Sequence, residues 1–125
     1  MDEAIAEWII EYAADALVYC DTRGTILRWN RAAAVLFGFS RDEALGSSLD
    51  LIIPEHLRPA HWQGFRRALA SGSTRLSGRP TLTRALAKDG GRLYVQMSFA
   101  LVRDPAGDVV GSVAVARRAE GAGKG

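Results

Sequence analysis

The last third of the chain most limits what it can fold into. Thr81 to Ala87, Arg92 to Arg103 and Val109 to Arg117 run or alternate in apolar and β-branched residues. Between them stand Lys88-Asp89-Gly90-Gly91 and Asp104-Pro105-Ala106-Gly107-Asp108, both strong turn signals. Alternation bounded by such turns predicts three antiparallel strands in a meander. A sheet of this kind has an apolar face, and the preceding residues have to supply its cover.

Those residues carry mixed signals. Residues 2 to 14 predict a helix, capped by Asp2 and striped by Ile5, Trp8, Ile9 and Tyr12 at helical spacing. Ala16 to Asp21 and Thr25 to Trp29 read as two strands of a hairpin, joined across Asp21-Thr22-Arg23-Gly24. Asn30 caps a short helix that ends at Gly38, and Ser40 with Glu43 forms a capping box for another that stops at Gly46. A longer helical stretch from Pro54 to Ser71 contains Pro59. Proline suits a first turn and disrupts an interior, so two abutting helices are expected, closed by Gly72.

The order is helix, two strands, several short helices, three strands. This predicts an α+β fold: a five-stranded antiparallel sheet with short helices on one face and an N-terminal flanking helix. Residues 1–14 form the flanking helix, 15–118 the domain, and 119–125 a disordered tail with nothing to bury. At 125 residues the chain holds one core. A cavity between the long helix and the sheet is the natural ligand site.

Composition narrows the function. The net charge is +2 and the basic residues are scattered, whereas nucleic-acid binding needs a concentrated basic face. No apolar run reaches the roughly 18 residues that span a membrane, and no signal peptide opens the chain. With a single cysteine, Cys20, the expected location is the cytoplasm. There is no Ser/His/Asp set, no phosphate-cradling glycine loop and no metal pair at helical spacing, so an enzyme is not expected.

Several local sequences resemble one family. Gly24 to Asn30 (GTILRWN) with Ala32-Ala33, Leu36 to Ser40 (LFGFS) with Glu43 to Gly46 (EALG), and Lys88-Asp89-Gly90 follow in the order of the PAS family's motifs. The resemblance covers about residues 10 to 118 and implies a PAS sensory domain. Ile52 to His61 (IIPEHLRPAH) is similar to the corresponding segment of haem-binding PAS domains, above all the direct oxygen-sensing phosphodiesterases. There a histidine in this position is the proximal iron ligand. The resemblance therefore implies that His61 holds the iron of a b-type haem, with a diatomic gas (O2, CO or NO) as the signal.

The chemistry agrees with that implication. Neutral imidazole is a good ligand for haem iron. By helical spacing Phe65, Ala68 and Leu69 share a side with His61, and Gly64 allows close approach. Leu93, Val95, Met97, Phe99 and Leu101 alternate along one strand as an apolar wall. In the resembling sensors an arginine after the long helix donates to bound oxygen. Here Thr81 takes its place and Arg79 that of a methionine ligand, while Met97 and Phe99 match the distal wall. Cys20 falls in the first strand, and the cysteine-bearing helix of light-sensing relatives has no counterpart.

Two readings therefore stand. One is a haem gas sensor that relays its state by conformational change. The other is a metal-free PAS module with an empty cavity or a small apolar ligand. In either, the stripe of the N-terminal helix is expected to pack a homodimer or else to cover the sheet's outer face, and the output partner is unknown. Trp62 falls on a different helix face from His61, at the surface or against the N-terminal helix, and His56 has no assigned role.

Overall fold

A computed structural model describes residues 3–74 and 78–119. Helix α1 (Glu3–Tyr12) leads into strands β1 (Ala16–Asp21) and β2 (Ile26–Trp29). Helices α2 (Arg31–Phe37) and α3 (Arg41–Ala44) follow, then 3-10 turns at Leu49–Ile52 and Glu55–Leu57 and helix α4 (Arg58–Ser71). Strands β3 (Thr81–Leu86), β4 (Arg92–Arg103) and β5 (Val109–Arg118) complete one antiparallel sheet in the order β2-β1-β5-β4-β3. The expected α+β architecture is the one observed, and the strands begin within a residue of their expected positions.

The local signals act as their chemistry requires. The Asn30 side chain accepts from the Ala33 amide at the start of α2, and Gly38 ends that helix in the left-handed region at φ 87°. Ser40 and Glu43 make the reciprocal capping box of α3. Pro59 lies in the first turn of α4, which starts afresh after the Glu55–Leu57 turn. Leu49–Ile52 is a 3-10 turn capped by Ser48.

The core sits between the sheet and the helices. Phe37, Ile26 and Val95 are fully buried, and the Trp29 and Phe37 rings lie 5.4 Å apart. Leu93, Val95 and Met97 point inward from β4, the phase that their alternation predicts. Ala119, placed by the sequence in the tail, is instead buried and donates its N–H to the Tyr94 carbonyl at 2.9 Å. The remaining tail, 120–125, lies outside the described residues. No described helix is long and apolar enough to cross a membrane.

Candidate functional site

The long helix and the sheet enclose a cavity of about 460 Å³. That lies within the range of roughly 300–1,000 Å³ typical of small-molecule sites. From α4 it is lined by Ala60, His61, Gly64, Phe65 and Ala68. From the sheet come Val18 and Cys20, then Thr81, Thr83 and Ala85, then Met97, Phe99 and Leu101, and finally Ser112 and Ala114. Leu49, Ile52, Ile53 and Leu57 close it from the 3-10 segment. The walls are overwhelmingly apolar.

Most residues singled out from the sequence meet here. His61, Phe65, Ala68, Met97, Phe99, Thr81 and Arg79 all line the cavity. Leu69 does not. It is half-buried elsewhere on α4, because adjacent helical positions lie about 100° apart and Ala68 already takes the inward direction. Leu93 and Val95 belong to the solid core rather than to the cavity wall. Thr81 and Met97 are cross-strand partners between β3 and β4, so they share one patch of wall. Arg79 is exposed just ahead of β3.

His61 is half-buried, and its Nδ1 is buried with no hydrogen-bond partner. Its ring stacks at 6.1 Å on Phe65 and meets the edge of Trp62 at 4.7 Å. Burial holds the imidazole below its ordinary pKa, and the Asp50 charge opposes this only in part. The side chain is therefore neutral near pH 7 and keeps a lone pair to offer, the form that ligates a metal.

Three features of the cavity escaped sequence reading. Ser112 is buried on β5 and faces the cavity beside Cys20, its cross-strand partner on β1. Thr83 adds a second hydroxyl on β3. Arg84 Nε joins His61 Nδ1 as a buried, unpartnered polar atom. Alternation along β5 marks Ser112 as inward, but a lone serine in such a pattern gives no chemical signal. Among the described residues no three of His, Cys, Asp and Glu gather as a metal cluster. Any metal held by His61 would therefore bring other ligands with it, as a porphyrin does.

A family model described as the PAS fold matches residues 7–119. The chain belongs to the PAS family. Its fold agrees with that of the PAS domain of a protein from Colwellia psychrerythraea, with a TM-score of 0.79. That likeness covers 94% of this chain and 96% of that one at 20% identity, and it shows the fold alone. An RNA-binding light-oxygen-voltage receptor superposes with a TM-score of 0.76 at 23% identity, over 93% of this PAS domain and 33% of the receptor.

Among curated relatives, an uncharacterized protein of Azorhizobium caulinodans is 34% identical over 91 residues, 72% of this chain and 12% of that protein. The oxygen sensor protein DosP of Escherichia coli K12 is 33% identical over 77 residues, 62% of this chain and 10% of DosP. The sensor protein FixL of Bradyrhizobium diazoefficiens is 27% identical over 91 residues, 73% of this chain and 18% of FixL. The PAS domain thus spans between a tenth and a fifth of the length of these relatives.

Proposed function

We propose that this PAS domain binds a b-type haem through His61 and senses a diatomic gas. The observation that carries the reading is the neutral His61 imidazole, with an unpartnered nitrogen, on the wall of an apolar cavity. Its likeness to a protein named as an oxygen sensor supports the same reading. The residues present fit the group. Phe65, Ala68, Met97, Phe99 and Leu101 offer apolar faces, Gly64 leaves room beside the helix, and Arg79 supplies a cation for acidic substituents. Haem iron, when bound, would supply a coordination position for O2, CO or NO.

The chain's own part is to hold and to respond. His61 would hold the cofactor to α4, and Thr81, Met97 and Phe99 line the sheet side of the same cavity. A gas acts as a signal only if it favours one arrangement of these contacts over another by a real free-energy difference. Because β4 and β5 pair along most of their length, a shift at Met97 or Phe99 passes directly into the central sheet. From there it reaches a partner or output domain. On this reading the domain works in the cytoplasm and performs no catalysis. It pairs with a second copy through the exposed stripe of α1.

A metal-free module is the second reading, favoured by Thr81 standing where the resembling oxygen sensors have arginine. The deciding experiment is the visible spectrum of the protein purified with haem supplied, beside His61→Ala. A sharp Soret band lost in the variant is the expected result. No band, or one unchanged by the substitution, would leave the metal-free module with a small apolar ligand.

A further inference from the structure

Trp62 neighbours His61 in the chain but does not line the cavity. Its indole Nε1–H donates to Asp50 Oδ1 at 2.7 Å, and its six-membered ring occupies the space that a Cβ on Gly24 would need. These two contacts belong to one socket. The Leu49 amide donates to the Gly24 carbonyl at 3.0 Å, and Thr25 bridges Ser48, so the β1–β2 turn and the Leu49–Ile52 turn are tied together. Trp62, expected at the surface or against α1, is therefore half-buried against the β1–β2 turn and the core.

Helix α4 needs such an attachment, because it has no fully buried residue. Its start is held by Arg58, which donates to the Ile53 and Asp50 carbonyls. Its end is held by Arg103, which donates to the Gly72 carbonyl at 2.7 Å. Neither contact sets how the middle of the helix is turned about its own axis. Consecutive helical residues project about 100° apart, so fixing one direction fixes the next. With the indole seated in its socket, the following face of α4 turns His61 and Phe65 to the sheet. The edge contacts of Trp62 with His61 at 4.7 Å and with Phe65 at 5.2 Å brace both rings directly.

We infer that Trp62, held by Asp50 and Gly24, is a positioning residue that keeps His61 facing the cavity. The inference takes its functional meaning from the haem reading, but its geometry and its first test need no haem. Diethyl pyrocarbonate acylates accessible imidazoles, and exposed His56 is an internal reference on the same helix approach. In the haem-free protein the acylation of both histidines is followed by peptide mass spectrometry at fixed pH. Trp62→Phe removes the indole donor. Asp50→Ala removes its acceptor at a side chain that is 40% exposed and so leaves the core intact.

In both variants the His61 rate is expected to rise about tenfold, the ratio that loss of one charge-assisted hydrogen bond gives, with His56 unchanged. Asp50→Asn still offers an amide oxygen to the indole and should stay within about twofold of the parent. Equal His61 rates in all four proteins would overturn the inference. So would His56 and His61 rising in step, which reports general loosening, or Asp50→Asn behaving like Asp50→Ala. In haem-loaded protein the same two variants should lose haem about tenfold faster to a scavenger. If the parent takes up no haem, the haem reading fails, and the acylation ratios still decide the role of Trp62.

Discussion

The Asn30 side-chain amide donates to the Ile10 carbonyl at 2.8 Å, clasping the end of α1 to the junction of β2 and α2. The same amide donates to the Asp15 carbonyl at 3.0 Å, while its oxygen accepts from the Leu17 and Ala33 amides. Asn30 is 1% exposed, so each of these bonds is made away from water. The residue read from the sequence as a helix cap is also the fastener of the flanking helix.

Asn30→Asp isolates the second role. A carboxylate keeps the two acceptor bonds but turns a second oxygen toward two carbonyl oxygens. Buried acceptors facing one another without a proton are expected to destabilise by about 3 kcal/mol. Urea unfolding should show this loss, with α1 amides exchanging before the sheet. A change under about 1 kcal/mol would mean that the amide donors contribute little.

Gly24 offers a sharper test of packing. Its φ of +83° already disfavours a side chain, by about 1–2 kcal/mol. A methyl group there would in addition fall inside the Trp62 ring. Gly24→Ala is therefore expected to cost about 3 kcal/mol or more in the parent, but only the backbone share in a Trp62→Ala background. Additive costs in the double-mutant cycle would show that the ring moves aside freely.

These two sites mark the limits of sequence reading. Asn30, Gly38, Ser40 with Glu43, and Pro59 announce themselves because caps, capping boxes and first-turn prolines depend on residues a few positions apart. The alternation of Leu93, Val95 and Met97 gave their inward face for the same reason. Seating Trp62 on Gly24 depends on how two distant segments meet, and no local rule reaches that far. The cavity wall was legible up to Ala68, but helical counting overran by one residue at Leu69. Ser112 and Arg84 were missed because a single polar residue in a strand carries no periodic signal.

Cys20 gives a prediction about reactivity. Burial pushes its thiol from the ordinary 9.0 up to about 11, and the Ser112 amide opposes this only in part. At pH 8 the thiolate fraction should be about a hundredfold lower in the folded protein than in the unfolded chain. Iodoacetamide labelling should therefore be very slow until urea unfolds the domain. Because the folded value is the higher one, the stabilisation from the neutral thiol is present below pH 9 and lost as pH rises toward about 11. Rapid labelling at pH 8 without denaturant would contradict this placement.

The stripe of α1 bears on assembly. Ile5, Trp8, Ile9 and Tyr12 are between 45% and 67% exposed, a large apolar strip for one short helix. Asn30 holds the helix in place, so the strip is presented rather than folded away. Trp8→Glu should shift a dimer to monomer in sedimentation velocity without altering the far-UV spectrum. An unchanged sedimentation coefficient would remove α1 from the interface.

The salt link between Glu43 and Lys88 predicts the acid limb of stability. Lys88 Nζ lies 2.6 Å from Glu43 Oε2, joining α3 to the β3–β4 turn, while Oε1 accepts from the Ser40 amide at 2.8 Å. The Lys88 bond, followed by the Ser40 amide, holds the Glu43 carboxyl below its ordinary 4.5. With the folded value depressed, the contribution is present above pH 4.5 and is lost as pH falls through the folded value. The pair is exposed to water and salt, so the effect is a modest one. Lys88→Met should lower the urea midpoint at pH 7 and at low salt, and the gap to the parent should narrow as pH falls below 4.5. Adding salt at pH 7 should narrow it too. A gap that stays the same size as pH falls would show that the loss does not come from the charge pair.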